Sequence, residues 1–208
     1  MGSTPDELRF HYHNMAAILV AAKAYFQVYE SLDVERENKP NYYYTVADFD
    51  DSRLYDNHFK TVIDGMFKLI FIEISCLFEK IKDTNNDTFS LHRFKSLLKD
   101  IGRDDLVALI EDKLRPHEEV VLFSLAKRNK TIAHRDVKAF CPDSKIFDKY
   151  NITINHIKRL LCDISEVFKH IHIELWKSPD YDIFSSDIIA NSTDYVLCSL
   201  NTQLKIDT

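Results

Sequence analysis

Glycine is scarce in this chain, with only three among 208 residues, and this scarcity limits the folds that the sequence can adopt. Gly2, Gly65 and Gly102 lie far apart, so the chain has no glycine-rich loop of the kind that binds phosphate groups. Turns with positive φ angles, which β-sandwiches use in large numbers, also favour glycine. The sequence therefore excludes Rossmann enzymes, P-loop nucleoside triphosphatases and most all-β folds.

Apolar residues recur at helical spacing in the first part of the chain. Thr4-Pro5-Asp6-Glu7 is a capping box with proline at the first helical position. After it, apolar residues follow in steps of three and four along a helix of about 25 residues. Residues 31 to about 56 are polar and irregular, which predicts a long loop that could include a short helix. From Asn57 to Ile81 apolar residues lie on nearly every face, which predicts a buried central helix.

Helix start and stop signals continue through the second part. Ser90 is suited to cap a short helix that Gly102 ends, and Asp104 begins another. Residues 116–132 are predicted to form the next helix. Thr153 then caps a long helix with a second apolar seam, formed by Ile154, Ile157, Leu161, Ile164, Phe168, Ile171 and Leu175.

These patterns together predict an all-α fold, because no segment shows the alternation typical of strands. We expect a helical bundle of about five to seven helices that forms a dimer. Residues 1–178 are predicted to form one helical domain. Residues 179–208 are predicted to be a C-terminal extension, either a further helix or a dimerisation arm.

Cysteine usage and charge indicate the compartment. The four cysteines show no CxxC spacing, which is typical of reduced thiols in a cytosol. The first residues lack the basic and apolar segments of a signal peptide, and no apolar run is long enough to span a membrane. The net charge of −6 argues against indiscriminate binding to nucleic acids. We therefore expect a soluble cytoplasmic protein with no membrane partner.

Two groups of residues suggest chemistry. The nine histidines form no pair at i+3 or i+4 and no HExxH motif, so we expect no metal and no cofactor. Asp64 and Glu73 lie in the apolar central helix, where an unpaired carboxylate is costly. Each is either paired with a neighbouring basic residue or, in the case of Glu73, supports a functional group.

The segment from Lys127 to Lys138 carries five positive charges and one negative charge, although the whole chain is acidic. Such a segment either complements the dipole at a helix end or binds an anion. Arginine offers a planar fork for phosphate, and histidine can take and give a proton near neutral pH. On a continuous helix Arg128 and His134 would point about 120° apart, so they converge only if the helix ends between them or if two chains contribute. The β-branched Thr131 and Ile132 lie where such an end could fall.

Arg128-Asn129 followed by His134 resembles the R-x4–6-H motif of the HEPN superfamily, in which a polar residue follows the arginine. The stretches Leu77-Phe78-Glu79, Ser90-Leu91 and Phe94-Lys95-Ser96-Leu97-Leu98 are similar to the abortive-infection U-type branch of that superfamily. The resemblance covers roughly residues 55–175. A second match to the motif, Arg53 with His58, lies in the polar region, and an apolar residue follows its arginine.

The resemblance implies a metal-independent endoribonuclease that acts as a homodimer, with the two motifs meeting across the interface. It assigns catalytic roles to Arg128, Asn129 and His134. His134 would act on the ribose 2′-hydroxyl or the leaving 5′-oxygen, Arg128 would stabilise the phosphate, and Asn129 would orient the histidine or the substrate. Substrate RNA would be bound by Lys127, Lys130 and Arg135. The expected partners are RNA, a second copy of the chain and a cognate antitoxin, in phage defence or a toxin–antitoxin pair.

Two other functions remain open at this point. The chain could be a non-catalytic HEPN-like module that binds nucleotides or RNA or serves as a scaffold. Alternatively, it could be an unrelated helical interaction protein in which Arg128 and His134 lie at a helix end without chemistry. Cleavage of RNA in the presence of a chelator separates the endoribonuclease from the binding module. Whether the two motifs face each other in a dimer separates both of these from the unrelated interaction protein.

Overall fold

Helices make up the part of the chain that the computed structural model describes, which is residues 4–37, 52–80, 89–133 and 150–177. The predicted all-α fold is confirmed, and these ranges contain no strand. The helices are α1 (Pro5–Glu37), α2 (Ser52–Phe78), α3 (Leu91–Asp100), α4 (Asp104–Leu114), α5 (Glu118–Lys127) and α6 (Ile154–Trp176). None of them combines the length and the hydropathy that crossing a lipid bilayer requires.

The chain divides into two compact units. The first contains residues 1–22 and 71–184, and the second contains residues 23–70 and 185–208. The candidate residues of the basic segment belong to the first unit. The predicted C-terminal extension, residues 179–208, lies outside the described residues, so its boundary stays a prediction.

Helix α1 begins as the sequence predicts but continues further. The N–H of Glu7 donates to Oγ1 of Thr4 at 3.2 Å, and the Glu7 carboxylate accepts from Arg93 at 2.8 Å. The predicted seam is buried from Leu8 to Phe26. The helix reaches Glu37 instead of ending near residue 30. Its last residues include leucine, arginine and glutamate, which are strong helix formers, so the polar composition of residues 31–37 did not indicate a loop.

Helix α2 differs from the expected central helix in its bounds and its burial. It spans Ser52–Phe78, so it begins inside the predicted loop and ends before Ile81. Residues 38–51, the rest of that loop, lie outside the described residues. Its fully buried residues concentrate near its C-terminal end: Ile70, Phe71, Ile74, Ser75 and Leu77. Asp64 is exposed, so it needs no partner.

The short helix α3 has the predicted caps, and α4 begins at Asp104 as predicted but without a hydrogen bond from a capping side chain. The hydroxyl of Ser90 accepts from the N–H of Arg93 at 3.4 Å. Gly102 adopts φ 74°, and the N–H groups of Gly102 and Arg103 donate to the carbonyls of Lys99 and Leu98 at 2.9 Å each. This is a Schellman motif, which satisfies carbonyls at the end of α3 and turns the chain into α4.

The predicted helix over residues 116–132 is divided into three pieces. A 3₁₀ turn, Arg115–His117, contains Pro116, and α5 follows as Glu118–Lys127. Residues Arg128–Ala133 then form a π-helical turn. Helix α6 follows residue 150 after a gap in the described residues, and Thr153 caps it, its N–H donating to Nδ1 of His156 at 3.1 Å. The predicted seam of α6 is buried from Ile157 to Ile171.

Candidate anion-binding cleft

A cleft of about 650 Å³ opens in the first unit where the end of α2 and the start of the π-helical turn come together. This is within the volume range of clefts that hold small ligands. Its apolar floor consists of Phe78, Leu114, Val121, Leu122 and Leu125, and Leu122 is half exposed. Its polar wall includes Glu79, Lys80, Lys95, Glu111, Arg115, Glu118, Arg128 and Asn129. We call this feature the Arg128 cleft.

Arg128 forms an ion pair with Glu79 in this cleft. Its Nη2 lies 2.7 Å from Oε1 of Glu79, and its Nη1 lies 3.5 Å from Oε2. The Arg128 side chain is 22% exposed and the Glu79 side chain is 40% exposed, so water reaches both groups. The Nε of Arg128 is buried, and no described residue accepts a hydrogen bond from it. The guanidinium is therefore held by its two terminal nitrogens.

The other residues of the basic segment are placed unequally. Asn129 lines the cleft beside Arg128 and is exposed, so the structure brings these two candidates together. Lys127 is half-buried, and its burial lowers the pKa of its ammonium group. Lys130 is exposed in the π-helical turn. His134 and Arg135 lie outside the described residues.

The π-helical turn starts at the candidate arginine. Its backbone follows an i→i+5 hydrogen-bonding pattern, which is rare and often occurs at functional sites. The sequence predicts that the regular helix ends between Arg128 and His134. The structure ends the α-helix at Lys127 and continues the winding in the wider form through Ala133. Two β-branched residues, Thr131 and Ile132, lie in this turn, consistent with their weak preference for regular helix.

Most cations of the cleft wall are neutralised by carboxylates. Lys95 Nζ lies 2.9 Å from Oε1 of Glu111, and Arg115 Nη2 lies 2.7 Å from Oδ1 of Asp112. Lys95 lowers the pKa of Glu111 through its hydrogen bond and its charge. Lys80 and Glu118 are exposed, and neither has an ion-pair partner within the described ranges. The wall is therefore nearly balanced in charge.

The helical turn of α2 before Glu79 carries two further polar groups. Glu73 is half-buried, burial raises its pKa, and no basic side chain in the described ranges forms an ion pair with it. Cys76 is a free thiol whose pKa is raised first by burial and then by Glu73, while Arg128 lowers it. The expectation that Glu73 is paired with a basic residue is therefore wrong.

Sequence analysis missed the carboxylate that contacts the candidate arginine. Glu79 belongs to a stretch that carries the HEPN resemblance, yet no role followed from its position. One signal in the sequence could have pointed to Glu79: it directly follows the last apolar residue of a central helix. It lies 49 positions before Arg128. Spacing along one helix cannot reveal such a pair, because the partners lie on different helices. The alternative match to the motif, Arg53 with His58, lies within helix α2 and not in a loop.

Metal ligands do not gather among the described side chains: no group of three or more histidine, cysteine or carboxylate residues is arranged to hold an ion there. His117, buried near the start of α5, instead contacts Asp163 of α6, with 2.5 Å between Nε2 and Oδ2.

No family model, curated protein or solved structure matches this chain.

Proposed function

We propose that the protein is a metal-independent endoribonuclease of the HEPN type. The observation that carries the proposal is the position of Arg128 and Asn129 side by side on the wall of a cleft large enough for a nucleotide. The arginine fork suits a phosphodiester, and the amide of Asn129 can donate to or accept from the substrate. The π-helical turn that starts at Arg128 supports the same assignment, because such turns are frequent at functional sites.

The chemistry is transfer of the scissile phosphate to the neighbouring ribose hydroxyl. The 2′-oxygen attacks phosphorus, the bond to the 5′-oxygen breaks, and the products are a 2′,3′-cyclic phosphate and a 5′-hydroxyl. A base takes the proton of the 2′-hydroxyl, and an acid gives a proton to the 5′-oxygen. His134 supplies proton transfer in this proposal, and Arg128 balances the charge that builds up on the phosphate oxygens.

Two proton-transfer roles call for two groups, and each chain has one histidine in the motif. The proposal therefore includes a homodimer in which two copies of the motif face one RNA strand. It places the protein in the cytoplasm, in phage defence or in a toxin–antitoxin pair, with RNA as substrate and a cognate antitoxin as its regulator. A monomer by sedimentation at micromolar concentration would count against the dimer.

A second candidate function is a non-catalytic module that binds RNA or nucleotides. The ion pair between Arg128 and Glu79 favours it, because a guanidinium held by a carboxylate is less able to balance the charge that builds up on the phosphate during cleavage. In this alternative the cleft binds RNA without cutting it, and substitution of His134 leaves RNA intact and binding unchanged.

The deciding experiment incubates the purified protein with a mixture of RNAs in EDTA. We expect cleavage by the wild type and a loss of about 10²–10⁴-fold in rate for Arg128→Ala and His134→Ala. Arg115→Ala is the matched control, because Arg115 lines the same cleft and is also paired with a carboxylate. Arg53→Ala and His58→Ala test the alternative match to the motif, and both should cut RNA at the wild-type rate.

The results separate the two functions. Cleavage in EDTA that is lost with Arg128→Ala but kept with Arg115→Ala supports the endoribonuclease. RNA binding without cleavage supports the non-catalytic module. Cleavage that EDTA abolishes, or that Arg128→Ala and His134→Ala leave unchanged, would place the active site elsewhere.

A further inference from the structure

Glu79 occupies the face of Arg128 that an anionic ligand would use. A carboxylate and a phosphate both accept two parallel hydrogen bonds from a guanidinium, so they compete for the same terminal nitrogens. Here those nitrogens, Nη1 and Nη2, both point to the Glu79 oxygens, at 3.5 Å and 2.7 Å. The other two-pronged approach to the guanidinium uses Nε, which is buried, so it cannot substitute for the first. A phosphate that binds Arg128 end-on must therefore displace Glu79.

Displacement of Glu79 is feasible, since the pair is open to water. Half-exposed ion pairs contribute about 1 kcal/mol or less, so exchanging one partner for another costs little. Once released, the Glu79 carboxylate can be solvated, because its side chain is already 40% exposed. The cost is the same for every anion, because it concerns the protein and not the ligand.

We propose that Glu79 is an internal competitor that lowers the affinity of Arg128 for every anion, so that only a ligand with further contacts in the cleft, such as a polynucleotide, binds tightly. The ion pair that a single phosphate would form with Arg128 is about as stable as the one that Glu79 already forms with it. An RNA strand also reaches exposed Lys80 on the same cleft wall, and such added contacts repay the displacement. The inference rests on the proposed function for its substrate, and it deepens that proposal by naming the residue that limits the affinity for that substrate.

The experiment compares three variants that each remove one negative charge from the cleft wall: Glu79→Gln, Glu111→Gln and Glu118→Gln. Only the first releases Arg128. Glu111 is paired with Lys95, and Glu118 has no ion-pair partner in the described ranges. The probes are inorganic phosphate and a mixed-sequence 2′-O-methyl RNA 12-mer, which lacks the attacking hydroxyl and cannot be cut. Binding is measured by calorimetry and by fluorescence anisotropy.

We expect Glu79→Gln to bind both probes roughly fivefold more tightly than the wild type. The other two variants should change affinity much less, because they alter the local charge without freeing the guanidinium. The gain should disappear when Glu79→Gln is combined with Arg128→Ala, which makes the coupling between the two residues measurable as a double-mutant cycle. Melting curves of all variants verify that they are folded.

Several outcomes would overturn the inference. Equal gains in Glu79→Gln and Glu118→Gln would mean a general charge effect, and a gain that survives Arg128→Ala would mean the same. If Glu79→Gln lowers kcat in RNA cleavage and does not tighten binding, Glu79 positions Arg128 for catalysis and does not compete with the substrate. Because the binding probes require no catalysis, they decide the role of Glu79 even if the wild type cuts no RNA.

Discussion

Two regions of the first unit have opposite effects on the charge of their basic side chains. At one end of the bundle, Tyr12 and His13 of α1 lie against Phe168, His172 and Trp176 of α6; we call this set the aromatic end. Tyr12 lies 4.7 Å from Trp176 and 5.4 Å from Phe168 between ring centroids. In the Arg128 cleft, by contrast, basic side chains form direct ion pairs with carboxylates, and water reaches these pairs.

The difference shows how environment decides the charge of a basic group. At the aromatic end, burial lowers the pKa of His13 and of His172, and the positive charge of Arg9 lowers both further. In the cleft, neighbouring carboxylates stabilise charged cations, and water stays near enough for exchange. Buried packing at the aromatic end thus stabilises the fold, whereas the cleft keeps ion pairs in which a ligand can replace the carboxylate.

The largest expected effect comes from cutting into the aromatic end. Phe168 is fully buried and contacts Tyr12, so Phe168→Ala should lower the free energy of unfolding by about 3–5 kcal/mol. Urea denaturation measures the change. Phe10→Ala is the matched control, because Phe10 is 61% exposed and should cost far less. Equal losses for the two variants would contradict the contrast drawn here.

A pH titration should distinguish the two regions next. Because the folded pKa values of His13 and His172 are lowered from 6.5, the unfolded chain binds more protons as the pH falls below that value. The stability that neutral histidines provide is therefore present above pH 6.5 and is lost as the pH falls through the folded pKa values. His13→Gln and His172→Gln should flatten the dependence of the melting temperature on pH between about 6.5 and 5. If both variants leave the slope of melting temperature against pH unchanged, other titratable groups cause the pH dependence.

A smaller effect is expected from the hydroxyl of Tyr12. It donates to the carbonyl of Phe168 at 3.0 Å in a buried setting, and Tyr12→Phe keeps the ring while removing this bond. The expected loss is about 1 kcal/mol by urea denaturation. A loss as large as that of Phe168→Ala would mean that the hydroxyl, and not ring packing, holds α1 to α6.

The smallest effect on stability is expected in the cleft. Arg128→Ala removes a half-exposed ion pair, so it should change the free energy of unfolding by about 1 kcal/mol or less. The same variant should lower the rate of RNA cleavage by about 10²–10⁴-fold. If Arg128→Ala unfolds the protein, then Arg128 is a structural residue, and the cleft resembles the aromatic end more than it differs from it.

Local signals in the sequence predicted much of the fold. The caps at Ser90 and Thr153 and the turn at Gly102 follow from hydrogen bonds within a few residues, and these predictions were confirmed. The buried seams of α1 and α6 follow from periodicity along single helices. The helical residues 31–37 were missed, because composition reports polarity but not the propensity of leucine, arginine and glutamate for helix.

The candidate site was less accessible to this reasoning. Arg128 and Asn129 could be proposed from residue type and spacing, and the structure places both on one cleft wall. Glu79 could not, because a pair between separate helices depends on how those helices pack. The π-helical form of Arg128–Ala133 was also missed, since the weak helix formers at positions 131 and 132 indicate an irregularity without its type.

The π-helical turn has a consequence for insertions and deletions. An i→i+5 ring holds one residue more than the i→i+4 ring of an α-helix, so removal of one residue from this turn can restore regular winding without disturbing α5. The same deletion would shorten the separation of Arg128 and His134 from five intervening residues to four. The backbone can therefore absorb a change in the separation of Arg128 and His134 within a single turn.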